Sequence, residues 1–234
     1  MHYRPFNQHK LPQDVLEELA KNNPYIIKIY DYPDFILPHP TPERFQTIFW
    51  EKFSISTAID VEIGCGSGQY LLQLSKRFPD HCFLGLELRY KRLVLAAKKF
   101  TKCNCSNILL LKEKGEYLGE YLGENTISRI HVNFPDPWPK KAHKKHRLLS
   151  IEFFKQIFPL LRTKGELLFK TDHQEYFQTV RKIVQELPEY TVIEETTDLY
   201  ASPYKETNIE TEFEQLFKFK TNPNIAYMKI QVCK

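Results

Sequence analysis

No apolar run in the 234 residues reaches the roughly 18 needed to span a bilayer, which argues against a membrane-spanning helix. The opening Met1-His-Tyr-Arg-Pro-Phe lacks the apolar core of a signal peptide. The five cysteines are odd in number and fit no disulfide framework; Cys103 and Cys105, one residue apart, are too close for a zinc knuckle. Neither a fixed-period repeat nor a low-complexity segment is present. Net charge is only +4, so the average says little about partners. The expectation is a cytoplasmic chain with free thiols, no metal and no membrane anchor. What is abundant is apolar and aromatic residues, 42% and 14%, enough for a substantial core.

The chain divides into a lead-in, residues 1–55, and a core, residues 56–234. In the lead-in, Pro12 to Lys21 reads as a short amphipathic helix. Pro33, Pro38 and Pro40 keep the next stretch extended, and Thr41 with Pro42 opens a helix to Lys52. The lead-in is expected to pack on the core. Its Tyr3, Arg4 and Lys10 are open either to nucleic-acid contact or to a plain surface role. From Thr57 strands and helices alternate. Strands are expected at 57–63, 82–88, 108–111, 127–134 and 166–170, with helices at 68–78, 91–102, 116–122, 148–161 and 173–186. Strands at 191–195 and 226–232 follow, joined by a long loop and forming an antiparallel hairpin at the sheet edge. This pattern predicts an α/β fold with a mostly parallel sheet covered on both faces.

Asp60-Val-Glu62-Ile-Gly64-Cys-Gly66-Ser-Gly68 closes the first core strand and opens its helix. Glycines let the backbone turn tightly and approach a ligand. A dinucleotide fingerprint is GxGxxG, facing a pyrophosphate; this chain has GxGxG with Gln69 in the third-glycine place. Glu62, two residues before the first glycine, repels pyrophosphate and suits a cation. Glu87, at the second strand's end, can accept from both hydroxyls of a ribose. A nucleoside carrying positive charge fits, and S-adenosylmethionine is one; an NAD site and a purely structural turn are the competing readings.

The stretch His131-Val-Asn-Phe-Pro-Asp136-Pro-Trp138-Pro-Lys140-Lys141-Ala-His-Lys144-Lys145-His-Arg147 is the most distinctive. Three prolines hold Asp136 and Trp138 on a stiff, extended loop just past a strand end. Lys140, Lys141, Lys144, Lys145 and Arg147 follow at once. A carboxylate and an indole beside clustered cations point to a planar group on a polyanion. A proline loop with a solvated charged face is the plainer reading.

These residues together resemble the bacterial tRNA (guanine-N7-)-methyltransferases over residues 55–232. The resemblance rests on Asp136-Pro-Trp-Pro-Lys140-Lys141 with the basic run to Arg147, on Glu62-Ile-Gly-Cys-Gly-Ser-Gly68, on Gly85-Leu-Glu87, on Lys170-Thr-Asp172, and on Thr211-Glu-Phe-Glu214 followed by Phe217. Thr207-Asn-Ile-Glu210 is a competing match for the last motif. The resemblance implies a class I methyltransferase (Rossmann-like) fold: a seven-stranded, mostly parallel sheet with an antiparallel edge strand. It implies S-adenosylmethionine as donor and a variable-loop guanine of tRNA as target; a monomer and a homodimer are both open. It places Glu62, Glu87 and Asp136 at the cofactor, where the glycine turn adds Gly64, Gly66 and Gly68, and Asp136 also at the catalytic centre. Lys140, Asp172, Thr211 and Glu214 fall at the substrate. The chain departs from the family at Lys114-Gly115, where an acid and Ala are usual, and at Ala142, where Arg is usual.

The chemistry such a site needs is modest. Guanine N7 has a lone pair and no proton to lose, so alignment and water exclusion matter more than a base at that atom. The methylated purine is cationic, and the Asp136 carboxylate favours the developing charge. Asp136 can also accept from the guanine N1–H and amine. Trp138 is open to base stacking or to packing, Asp172 to ligand contact or helix capping, and Thr211 with Glu214 to substrate contact or capping. The lysines with Arg147 are expected to hold tRNA phosphates. Two other functions compete: methylation of a small molecule or protein, disfavoured by the basic run, and tRNA binding without catalysis, disfavoured by the intact glycine turn and carboxylates.

Overall fold

A computed structural model describes residues 13–54, 57–218 and 224–234. The lead-in positions Tyr3, Arg4 and Lys10 lie outside the described residues. The elements, in chain order, are α1 (Gln13–Asn22), α2 (Tyr25–Lys28), β1 (Ile36–Leu37), α3 (Pro42–Lys52), β2 (Ala58–Ile63), α4 (Gln69–Arg77), β3 (His81–Leu86), α5 (Tyr90–Lys102), β4 (Ile108–Leu111) and α6 (Leu118–Tyr121). They continue with β5 (Ile127–Asn133), α7 (Ile151–Ile157), β6 (Leu161–Thr171), α8 (Gln174–Gln185), β7 (Tyr190–Thr196), α9 (Glu212–Lys218) and β8 (Ala226–Val232).

Local chemistry explains most boundaries. Thr41 caps α3 by accepting from the Arg44 amide at 3.3 Å, with Pro42 in the first turn, where its missing amide costs nothing. Ser150 caps α7 by accepting from the Phe153 amide at 3.2 Å. That cap makes α7 start later than the apolar pattern predicts. The helix also ends early, because Leu161 leaves it to pair with Ile127.

The strands form one sheet in the order β1-β4-β3-β2-β5-β6-β8-β7. Neighbours from β1 to β6 run parallel, and β8 runs antiparallel to both β6 and β7. The fold is the α/β, mostly parallel arrangement expected, with the hairpin at the edge. The described residues contain eight strands rather than seven. The extra one, β1, comes from the proline-held extended stretch and pairs Ile36 with Leu110 at the other edge. Both faces are covered. One cluster includes Phe45 and Phe49 of α3 with Phe153, Phe169 and Phe177. The other joins Leu71 and Leu74 of α4 to Leu93 and Phe100 of α5. Burial of this apolar surface is the main favourable term in folding.

Successive strands run outward from β2 through β3 and β4, then resume on the opposite side with β5 and β6. The order therefore reverses between β2 and β5. In open α/β sheets the crevice beyond the carboxyl ends of the strands at such a point is where ligands bind. Glu62 and Asn133 are the residues that β2 and β5 bring there.

Candidate active site

Glu62 is 3% exposed and its Oε1 accepts from Nδ2 of Asn133 at 3.0 Å. Its Oε2 is buried and has no partner. Burial pushes the Glu62 carboxyl up to about 8, opposed by the Asn133 hydrogen bond and the Lys170 charge. A buried carboxylate with one empty oxygen is suited to a cationic ligand, since an unmet charge in that setting is costly.

The turn after β2 is shaped by three positive φ angles: +77° at Gly64, +55° at Gly66 and +73° at Gly68. A Cβ added at Gly64 or Gly66 would meet nothing within 4 Å, so the turn leaves open space there. Gly68 differs. Its missing side chain makes room for Phe100 and Ala96, and it lies outside the cleft lining. The glycine turn leads one to expect Gly68 at the cofactor; its place is instead in the packing of α4 on α5. Glu87 ties the turn together: Oε2 accepts from the Gly66 amide at 3.0 Å and Oε1 from the Arg89 amide at 2.9 Å.

These groups line a cleft of about 200 Å³ with Asn133, Phe134, Thr211, Glu212 and Phe213. Orphaned Oε2 of Glu62, open glycine backbone and the Glu87 carboxylate meet the demands of a cationic nucleoside. The same features do not favour a pyrophosphate.

Asp136 stands two residues beyond Phe134, exposed and outside that lining. Its loop is rigid. Phe134 and Trp138 have φ of +50° and +42°, uncommon for bulky residues. The Phe134 amide donates to the Lys170 carbonyl at 2.8 Å. Trp138 is 36% exposed, with its ring centroid 5.8 Å from His143 and 5.4 Å from His146.

The basic run is not uniform. Lys140, Lys141 and Lys145 are exposed. Lys144 pairs with Glu175 at 2.7 Å. Arg147 corrects the sequence reading: it is 6% exposed and unsuited to holding phosphate. Its Nε donates to the Pro137 carbonyl at 2.8 Å, its Nη2 lies 2.5 Å from Glu175 Oε2, and its guanidinium covers the Tyr176 ring at 4.7 Å. The hydrogen bonds from Arg147 and Lys144 hold the Glu175 carboxyl down at about 2. Arg147 thus anchors the proline loop to α8.

Asp172 is exposed at the same sheet edge, and His173 rather than Asp172 caps α8, accepting from the Tyr176 amide at 3.1 Å. Thr211 and Glu214 form a capping box: Thr211 Oγ1 accepts from the Glu214 amide at 3.1 Å and Glu214 Oε2 from the Thr211 amide at 2.7 Å. Glu214 is fully buried and also accepts from Lys170 Nζ, Tyr200 Oη and Asn208 Nδ2. Burial opposes its charge, but Lys170, the Thr211 amide and Asn208 bring its carboxyl below the ordinary value. All four contacts come from the chain itself, so Glu214 holds the loop and does not face the cleft; Thr211 does.

Several residues of the site escape sequence reasoning. Asn133, the partner of Glu62, stands at a strand end among apolar residues. Lys170 donates to Asn208, the Ile209 carbonyl and Glu214, and so ties the 208–214 segment to β6. Glu212 accepts from Ser67 Oγ at 2.5 Å and lies 3.6 Å from Arg92. Among the described residues, no cluster of His, Cys, Asp or Glu could hold a metal, and no helix is long and apolar enough to cross a membrane.

Residues 56–227 match the family model described as "Putative methyltransferase". A bifunctional glycosyltransferase/methyltransferase of Fusobacterium nucleatum is 43% identical over 92% of this chain, which spans only 33% of that relative's length. The tRNA (guanine-N(7)-)-methyltransferase of Mycoplasma pneumoniae is 36% identical over 85% of this chain and 91% of its own. In fold, the chain is similar to the crystal structure of the 16S rRNA methyltransferase KamB, with a TM-score of 0.61 and 14% identity over 80% of this chain and 94% of that one.

Proposed function

Because the chain belongs to the tRNA (guanine-N(7)-)-methyltransferase family, we propose that it methylates N7 of a guanine in the variable loop of tRNA. S-adenosylmethionine supplies the methyl group, carried on a positively charged sulfur. The observation that carries the reading is one juxtaposition at the switch point. A buried, half-unpaired Glu62 faces a glycine-floored cleft, and a rigid loop carrying Asp136 and exposed lysines begins at the cleft's rim.

The residues divide the work. Glu62 and Asn133 hold the cationic amino-acid end of the donor, the Gly64–Gly66 backbone lets it approach, and Glu87 takes the ribose. Asp136 accepts from the guanine edge and favours the positive charge that the purine gains. No proton leaves N7, so no base is needed there, and positioning carries most of the catalysis. Lys140, Lys141 and Lys145 contact phosphates, with Asp172 and Thr211 on the substrate side. Arg147 and Glu214 act indirectly, by fixing the two segments that frame the cleft. A tRNA substrate fits a cytoplasmic enzyme, acting as a monomer or homodimer.

The test is incubation with labelled donor and unmodified tRNA, then identification of the labelled nucleoside. Label entering protein or a small molecule instead would favour the other methyltransferase readings.

A further inference from the structure

Two aromatic side chains meet at the mouth of the cleft from distant parts of the chain. Phe134 begins the proline loop, and Phe213 lies in the first turn of α9. Their ring centroids are 4.6 Å apart with planes tilted by 43°, and both line the cleft. Phe213 is nevertheless 38% exposed, so the pair is not a piece of core. Phe134 takes a φ of +50°, a conformation that an L-residue with a bulky side chain rarely adopts.

Their place along the cleft is informative. Glu87 marks the ribose end. Glu62, with Asn133, marks the end that receives the donor's charge, and Phe134 directly follows Asn133. The aromatic pair therefore stands away from the ribose end, where the loop that carries Asp136 leaves the cleft. The mooring of Phe213 is firm: Glu212 is held by Ser67, and Thr211 and Glu214 close the capping box. Gln73 Nε2 donates to the Glu210 carbonyl at 2.7 Å, and Arg77 Nη1 to the Thr207 carbonyl at 3.0 Å. The backbone that carries the Phe213 ring is thus held by contacts within the chain itself.

We infer that Phe134 and Phe213 form the surface against which the target purine stacks while its N7 is methylated. The inference rests on the proposed reading of the site as a guanine-methylating centre. Aromatic faces accept any base by stacking, and they attract a cation. The pair thus favours the purine more as it becomes positively charged, complementing Asp136, which acts at the purine's edge. Base identity is left to Asp136, and the two rings fix the plane of the purine so that its in-plane N7 lone pair meets the methyl carbon edge-on.

The experiment compares wild type with Phe213→Leu, Phe213→Tyr and Phe134→Leu in single-turnover methylation of unmodified tRNA at saturating donor. Donor affinity is measured by calorimetry. Fluorescence is read from tRNA carrying 2-aminopurine in place of the target guanine. Each Leu variant is expected to lose roughly ten- to a hundredfold in rate, in the range for a lost base–aromatic stack. Donor affinity should stay within about twofold, since the rings face the acceptor. Phe213→Tyr, which keeps the ring, should restore most of the rate, and the quenching of 2-aminopurine should disappear only in the Leu variants. Leu variants that turn over like wild type overturn the inference. So does a rate loss accompanied by lost donor affinity, or one that Tyr fails to rescue. A wild-type protein that leaves tRNA guanine unmethylated overturns the reading of the site itself, a different failure from Leu variants that match an active wild type.

Discussion

The Lys170 ammonium lies 2.9 Å from Oε2 of Glu214, with the two side chains 3% and 0% exposed. This buried pair joins the last parallel strand to the segment that closes the cleft, and each partner covers the other's charge. Removing one leaves an uncompensated buried charge. Lys170→Met is expected to lower stability by about 3–5 kcal/mol, measured as a shift of the urea unfolding curve. The Lys170→Met, Glu214→Gln double variant should recover part of that loss. A single variant as stable as wild type would show that the pair is dispensable.

Glu87 both braces the glycine turn and stays open to a ligand. Its two oxygens already hold the Gly66 and Arg89 amides, which leaves each oxygen further accepting capacity for a ribose. Glu87→Ala should weaken donor binding by roughly 1.5–3 kcal/mol, the range for hydrogen bonds to a charged group. Unchanged donor affinity by calorimetry would remove Glu87 from the donor site.

The pH dependence follows from Glu62. Burial raises its carboxyl from an ordinary 4.5 to about 8. Between those values the folded chain keeps a proton that the unfolded chain has released. Stability of the donor-free protein should therefore be fullest below the ordinary value and fall as pH rises toward 8, by at most about 1.4 kcal/mol per unit. Glu62→Gln, which cannot ionise, should flatten that descent in urea titrations. A cationic donor favours the carboxylate, so binding near neutral pH should release a proton, visible in calorimetry across buffers of different ionisation heat. A slope identical in wild type and Glu62→Gln would refute the assignment.

The basic run predicts a graded response to salt. Replacing Lys140, Lys141 and Lys145 by Ala should reduce the slope of log affinity against log salt by about two or three units. Lys144→Ala should do less, because Glu175 already neutralises it. Arg147→Ala should instead loosen the proline loop, lowering the melting temperature more than the salt slope. An unchanged slope in the triple variant would return the run to a solvated face.

Much of the fold was legible because it is written locally. Thr41-Pro42 marks a helix start, four-residue apolar runs such as Ile108–Leu111 mark strands, and their alternation implies a parallel sheet. The misses come from contacts that only the folded chain creates. Ile36–Leu37 is too short to show a period and is a strand only because β4 offers it an edge. In the site, Glu62 and Glu87 were readable as acids at strand ends beside a glycine turn. Their surroundings were not, since Asn133 reaches Glu62 across 71 positions. Arg147 looks like one more surface cation until the fold brings Glu175 and the Pro137 carbonyl to it. Glu214 looks like a substrate ligand until Lys170, Tyr200 and Asn208 surround it.

Asp136 is expected to act by charge and hydrogen bonding. Asp136→Asn, which keeps the size and one acceptor, should lower single-turnover rate by a factor on the order of 10²–10³. Affinity for tRNA should remain, because phosphate contacts supply most of it. Asp136→Ala should be slower still. A rate loss fully explained by weakened tRNA binding would make Asp136 a docking residue.

The most direct measurement is of the product. Purified protein is incubated with isotopically labelled S-adenosylmethionine and tRNA transcribed without modifications, and the digested nucleosides and fragments are resolved by mass spectrometry. The expected result is label in 7-methylguanosine alone, confined to the fragment carrying the variable loop, and lost in Asp136→Ala. Label in another nucleoside, or none in tRNA while the protein still binds the donor, would contradict the assignment.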